Sequence, residues 1–333
     1  MARTAAALVV LVLLVAGLVL GLLALASRWT GSAEPPPSAL CRAVVADPDG
    51  EGELRAELTP DRTANAALVV GVADQRGLPA RAATIAIATA IQESALRNID
   101  YGDRDSLGLF QQRPSQGLGT PEQVQDPLYA TGAFYDALVR IDGYTGLDIT
   151  DAAQRVQRSG FPEAYADHEG EGRALASSLY GLSPASLWCD LPAVDRAGAD
   201  GDRPAPDQAA AAVVADLQAW TRSGWTASAV EAAQTPEEAA EDGTGGLAAP
   251  AVVVLDATGS AEPGRAAWAL AHSAVALAER HGVVRVEVDG RVWERAAPGG
   301  GWLDPATASV EGDAGPSTGG TVPGDGRVRV TTG

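Results

Sequence analysis

Glu93 is the residue whose surroundings best suit chemistry. It sits near the end of the apolar run "ARAATIAIATAIQES", with Ala90, Thr89 and Ala86 as its helical neighbours at i−3, i−4 and i−7. All three are small, so another element can approach and exclude water from the carboxylate. Desolvation favours the protonated form of a carboxyl group, the form in which it serves as a general acid. A lone Glu at a helix end is more often a satisfied terminal residue, so the weight falls on the residues after it. From Asn98 to Gly119 helical periodicity stops and the chain reads "NIDYGDRDSLGLFQQRPSQGLG". A polar stretch of that length inside a compact domain is usually functional or disordered.

The elements that must position Glu93 are marked by Pro and Gly. Thr59-Pro60 opens a helix that ends at Gly77, and Leu78-Pro79 opens the Glu93 helix. Thr120-Pro121 opens the next, divided at Asp126-Pro127 before "LYATGAFYDALVRI". Thr150 caps "DAAQRVQRS", and Pro162 starts a last helix running toward Tyr180. Every element in this half reads as helix. The second half differs: "AVVVLD" reads as a buried strand, "GRAAWALAHSAVALAERHG" as a helix ended by Gly282, and "VVRVEVDGRVWERA" as a hairpin around Asp289-Gly290. A short final strand, "RVRVT", completes an α/β module that carries an acidic, flexible insertion near "TPEEAAEDGTGG".

The amino terminus adds an apolar stretch from Ala5 to Ala26 with no charged residue. About 20 such residues span the hydrocarbon core of a bilayer, and this length favours a retained transmembrane anchor over a cleaved signal. Ala24-Leu25-Ala26 leaves the alternative of secretion after cleavage near Ala26. The expected architecture is therefore one N-terminal transmembrane helix (1–28), a Pro-rich linker (29–40), an all-α domain (41–190), a second linker (191–208) and a small α/β domain (209–333). The two cysteines, Cys41 and Cys189, bracket the helical domain. Beyond a secretory segment, that arrangement points to a disulfide in an oxidising compartment, with the protein body outside the cytoplasm.

Net charge is −19 and every basic side chain is Arg. An acidic body argues against nucleic-acid partners, which select a basic stripe, and against adhesion to anionic surfaces by charge. The three histidines, His168, His272 and His281, are dispersed, so neither a metal site nor a cofactor is expected.

Glu93-Ser94 followed by "DSLGLFQQRP" resembles the lysozyme-like fold of soluble lytic transglycosylases and goose-type lysozymes. The matching residues are Glu93, Ser94, Ser106, Gly108, Leu109, Phe110, Gln111 and Pro114; Leu107-Gly108 departs from the Gly-Ala-x-Gly form often seen before the Leu. The resemblance covers about residues 80–135 strongly and makes the helical domain lysozyme-like. It implies that Glu93 protonates the glycosidic oxygen between the amino sugars of peptidoglycan. In a transglycosylase the same residue then acts as base on the sugar's own hydroxyl. A hydrolase needs a partner carboxylate, and the candidates are Asp103 and Asp105, which also fit simple turn chemistry. Gln111 and Gln112 are candidates to bond N-acetyl groups, with Ser94, Ser106 and Gly108 shaping the loop. Tyr101 and Phe110 are candidates to stack on sugar faces. Tyr129 is the candidate to line the groove from a later helix, with Tyr165 a weaker one.

The C-terminal segment resembles, less strongly, a small α/β domain found at the ends of secreted actinobacterial wall proteins, through Asp289-Gly290-Arg291-Val292-Trp293 and Gly301-Trp302. Many relatives end in an Asp-His-Val-His strand similar to zinc carboxypeptidases. This chain has Gly326, Arg327 and Arg329 there and no His, which implies binding or spacing rather than metal chemistry. Trp293 and Trp302 equally suit a core.

These readings lead to a membrane-tethered, extracytoplasmic glycosidase or lytic transglycosylase acting on peptidoglycan glycan strands. The alternative is a non-catalytic envelope protein that keeps the groove to bind glycan or a partner. A transporter or channel is the least suited, since one apolar helix without an intramembrane charge marks no pathway.

Overall fold

The computed structural model describes residues 39–194, 204–232, 249–297, 299–305 and 326–333. Residues 39–333 form one compact unit. The apolar stretch Ala5–Ala26, half of the second linker (195–203) and the acidic insertion lie outside the described residues. Among the described residues no helix is long and apolar enough to cross a membrane, so the expected transmembrane helix has no counterpart among them.

The all-α expectation for the first half is overturned by a three-stranded antiparallel sheet in the order β2-β1-β3. Strand β1 (Leu40–Ala46) buries Cys41, Ala43 and Val45 and turns Arg42 and Val44 outward, an alternation with period two. It pairs on one side with β2 (Glu53–Leu58) and on the other with β3 (Leu187–Asp190). The register sets Cys41 opposite Cys189, and the expected disulfide joins them across that pair. The molecule is thus mixed α/β, with two antiparallel sheets.

The helices follow the Pro and Gly signals closely. Helix α1 (Pro60–Gln75) and helix α2 (Ala80–Ser94) each begin at a Pro or just after one. Helix α3 (Pro121–Gln125) carries a reciprocal capping box between Thr120 and Gln123, and Asp126 caps α4 (Pro127–Leu138) by accepting from the Leu128 amide at 2.9 Å. Helix α5 spans Ile149–Gln157. The single helix expected from Pro162 resolves into a 3₁₀ segment (Pro162–His168) and helix α6 (Glu169–Leu179). Helix α2 lies at the centre, packed by α1, α4, α5 and α6. That position explains why it is apolar nearly all round.

The second half builds a six-stranded antiparallel sheet with β4 (Thr226–Ala227), β6 (Ala251–Asp256), β9 (Arg327–Thr332), β7 (Val283–Val288) and β8 (Arg291–Glu294) in that order, and β5 (Glu231–Ala232) also on β6. Val253, Leu255, Val328, Val330, Val286 and Val288 are buried. Helix α7 (Pro206–Trp220) packs on β6 and β9, and helix α8 (Pro263–Ala276), followed by the short α9 (Ala278–His281), packs on β7 and β9.

Helix α8 also packs against α6, α1 and β3, so the module braces the back of the helical half. Trp293 is fully buried and donates to the Cys189 carbonyl at 3.1 Å, while Trp302 donates to the Leu187 carbonyl at 2.8 Å. Both tryptophans are therefore packing residues. His272 is buried between Trp268 and Trp302 and donates from Nδ1 to the Ser178 carbonyl at 2.7 Å. Burial lowers its pKa to about 4, so it is neutral at physiological pH. At Gly181, φ is 75° and an added Cβ would lie 2.0 Å from the Arg265 carbonyl oxygen, so only glycine lets α8 approach this closely.

Candidate active site at the end of helix α2

Helix α2 stops because Ala95 and Leu96 both adopt left-handed backbone angles, with φ of 54° and 58°. The Leu96 amide bonds back to the Ala90 carbonyl at 3.0 Å, closing the last turn. The next carbonyls are held from α1: Arg62 donates to Ala95 at 2.5 Å and Asn65 donates to Leu96 at 2.8 Å. Two consecutive left-handed non-glycine residues are costly and persist only where the surroundings fix them. Here they turn the chain sharply just after Glu93.

The loop beyond is pinned to this turn. Ser94 is buried, with Oγ 2.7 Å from the Leu109 carbonyl oxygen, tying helix end to loop. Leu107 and Gln112 exchange backbone bonds of 3.0 and 3.1 Å, and the Gly108 amide donates to Ile99 at 2.8 Å. Gly108 has φ of 75°, and a Cβ there would lie 2.3 Å from the Val124 carbonyl oxygen. Its part in the motif is therefore close backbone approach. Ser106 is buried in the same bridge region.

Glu93 itself is half-buried in the last turn of α2. Its Oε1 accepts a hydrogen bond of 2.6 Å from the hydroxyl of Tyr165, which is fully buried on the 3₁₀ segment. Burial, and then the bond to Glu93, raise the Tyr165 pKa, so the phenol stays protonated as a donor. Just beyond, His168 spans Gln92 (3.0 Å) and Glu171 (3.3 Å).

The candidate partner carboxylates are placed differently. Asp105 accepts from Arg113 Nε at 3.0 Å and from the Ser115 amide and hydroxyl at 2.8 and 3.0 Å. The Ser115 amide, Arg113 and the Ser115 hydroxyl lower its pKa to about 2. It clamps the loop. Asp103 has a side chain 90% exposed, with Arg104 3.9 Å away. Neither is hydrogen-bonded to Glu93 in the described structure.

The binding candidates divide likewise. Phe110 is fully buried and stacks on Phe134 at 4.6 Å, so it offers no face to a sugar. Gln112 is buried and donates to Ala130 at 3.0 Å. Gln111 is half-buried, and its amide serves the carbonyls of Tyr101 and Gly108, both at 3.3 Å. Tyr101 is exposed, and Tyr129 is partly exposed against Gly119. Of the two tyrosines weighed by sequence for the groove, Tyr165 rather than Tyr129 reaches Glu93. Its signal was faint, because nothing periodic links a residue on a 3₁₀ turn to one 72 positions earlier. Phe161, exposed just ahead of that turn, was not singled out by sequence at all.

The arrangement supplies one carboxylate with one oxygen engaged by a neutral donor, at a chain reversal fixed on both sides. Such a group can deliver and retrieve a proton at a fixed position. The chain matches no known protein family and none of the curated proteins.

Proposed function

We propose that this protein cleaves the glycan strands of peptidoglycan outside the cytoplasm as a lytic transglycosylase, with Glu93 as its acid and base. The observation that carries the reading is the Glu93–Tyr165 hydrogen bond at the turn where Ser94 ties helix α2 to the loop of the resembling motif. Protonated Glu93 gives its proton to the glycosidic oxygen as the bond to the anomeric carbon breaks. The sugar's own hydroxyl then bonds that carbon and returns its proton to Glu93, leaving an anhydro end and a regenerated acid. No second carboxylate takes part, in keeping with Asp105 being committed to Arg113 and Ser115. The Cys41–Cys189 disulfide is compatible with an extracytoplasmic setting.

The test is release of soluble fragments from purified peptidoglycan by the full chain. Glu93→Gln keeps the shape of the side chain but not its proton, and is expected to lower release by about a thousandfold or more. Release unchanged by that substitution would sink the proposal. Binding of peptidoglycan without release by the wild type would favour a glycan-binding envelope protein instead.

A further inference from the structure

Phe161 is the most exposed large hydrophobic residue among those described, at 75%. An isolated exposed aromatic on a loose loop needs no explanation. This one is on a backbone fixed from several directions. Its amide donates to Ser159 Oγ at 3.1 Å, its carbonyl accepts from Ala164 at 3.3 Å, and the next carbonyl, of Pro162, accepts from Thr150 Oγ1 at 2.6 Å. Gln154 holds the Ser159 carbonyl at 2.9 Å.

Phe161 is the N-cap residue of the 3₁₀ segment that carries Tyr165, whose hydroxyl holds Glu93. Four positions along one short segment therefore separate Phe161 from the tyrosine bonded to the Glu93 carboxylate. The backbone that carries the exposed ring is tied to the acid itself. Tyr101, 67% exposed, stands on the other segment tied to the Glu93 turn, with its carbonyl held by Gln111.

We infer that Phe161 is a substrate-contact residue, taking the apolar face of a pyranose ring of the glycan strand next to the bond that Glu93 cleaves. This rests on the proposed function above. A ring on a pre-fixed backbone loses little freedom on binding, and a pyranose presents a flat array of C–H groups that matches an aromatic face.

Co-sedimentation of the full chain with purified peptidoglycan, in a Glu93→Gln background that prevents turnover, tests the inference. Phe161→Ala is expected to weaken binding about tenfold, the effect of losing one well-packed aromatic face, while Phe161→Trp restores it. In the otherwise wild-type chain, Phe161→Ala is expected to raise KM by a similar factor and leave kcat nearly unchanged. Equal binding with and without the Phe161→Ala substitution would overturn the contact while leaving the Glu93 reading intact. Loss in both the Ala and Trp variants would overturn ring stacking. If wild type releases nothing but the Ala variant still binds more weakly and Trp restores it, the cleavage reading fails and the contact stands.

Discussion

The two halves of the molecule treat their polar and aromatic groups in opposite ways. Around Glu93, hydrogen bonds fix the backbone while side-chain faces stay open: Tyr101 and Phe161 are exposed, and Glu93 is half-buried. Of the eight non-glycine residues with positive φ among the described residues, five (Ala95, Leu96, Arg104, Gln111 and Arg158) lie on the Glu93 turn, its loop or the turn before Tyr165. In the C-terminal half the groups that look reactive are sealed. His272 and Trp293 are fully buried, and Arg285 pairs with Glu287 at 2.7 Å and also with Glu294 on the sheet. Backbone strain with open side chains marks a place built to meet a ligand, whereas sealed aromatics and paired charges mark a brace. Under the proposed function the chemistry belongs to the first half, and the second half packs against it as a brace.

The largest effect expected from breaking this division is loss of the disulfide. Cys41 and Cys189 are 148 residues apart, and closing a loop of that length stabilises the fold by about 5 kcal/mol in the chain-entropy model. Because β3 is tied to both β1 and α8, a Cys41→Ser/Cys189→Ser double variant should lose stability in one transition shared by both halves. Denaturant unfolding followed by helix signal and by tryptophan fluorescence would check this. Separate transitions would show that the brace folds alone.

A smaller effect separates the halves by pH. His272 has its pKa lowered to about 4 from an ordinary 6.5, so the unfolded chain binds the extra proton first. Stability from this group is present above about pH 6.5 and is lost as pH falls toward 4, by about 3 kcal/mol. The Asp105 clamp, at about 2, keeps its contribution until pH falls below the usual carboxylate range. Acid should therefore remove the His272 contribution before that of Asp105. Thermal melts from pH 7 to pH 4 should fall steeply for wild type and less so for His272→Asn, which keeps a donor near Ser178 but cannot titrate. Equal slopes would contradict the sealed-histidine account.

Much of this arrangement was legible in the sequence, for identifiable reasons. Pro and Gly act locally, so the starts of α1, α2, α3 and α4 and the hairpin at Asp289-Gly290 fell where they were expected. The disulfide followed from two cysteines and a secretory-type segment. Strands β1, β2 and β3 were missed because they are short and because β3 pairs with β1 from the far end of the helical half. The motif residues were found, but their roles were not: Phe110 looks like a stacking residue until Phe134 is seen to cover it, and Asp105 looks catalytic until Arg113 and Ser115 claim its oxygens. Tyr165 acquires meaning only through its hydrogen bond to Glu93, 72 positions earlier, and Phe161 only through its place at the start of the same segment.

The central claim is that Glu93 alone carries both proton transfers, and the identity of the reaction products tests it most directly. Purified peptidoglycan incubated with the full chain, wild type beside Glu93→Gln, would be analysed by mass spectrometry. The account predicts fragments with anhydro ends, one water lighter than hydrolysis products, from wild type only. Products with reducing ends would contradict it by requiring an activated water and a second base. So would anhydro ends appearing equally with Glu93→Gln.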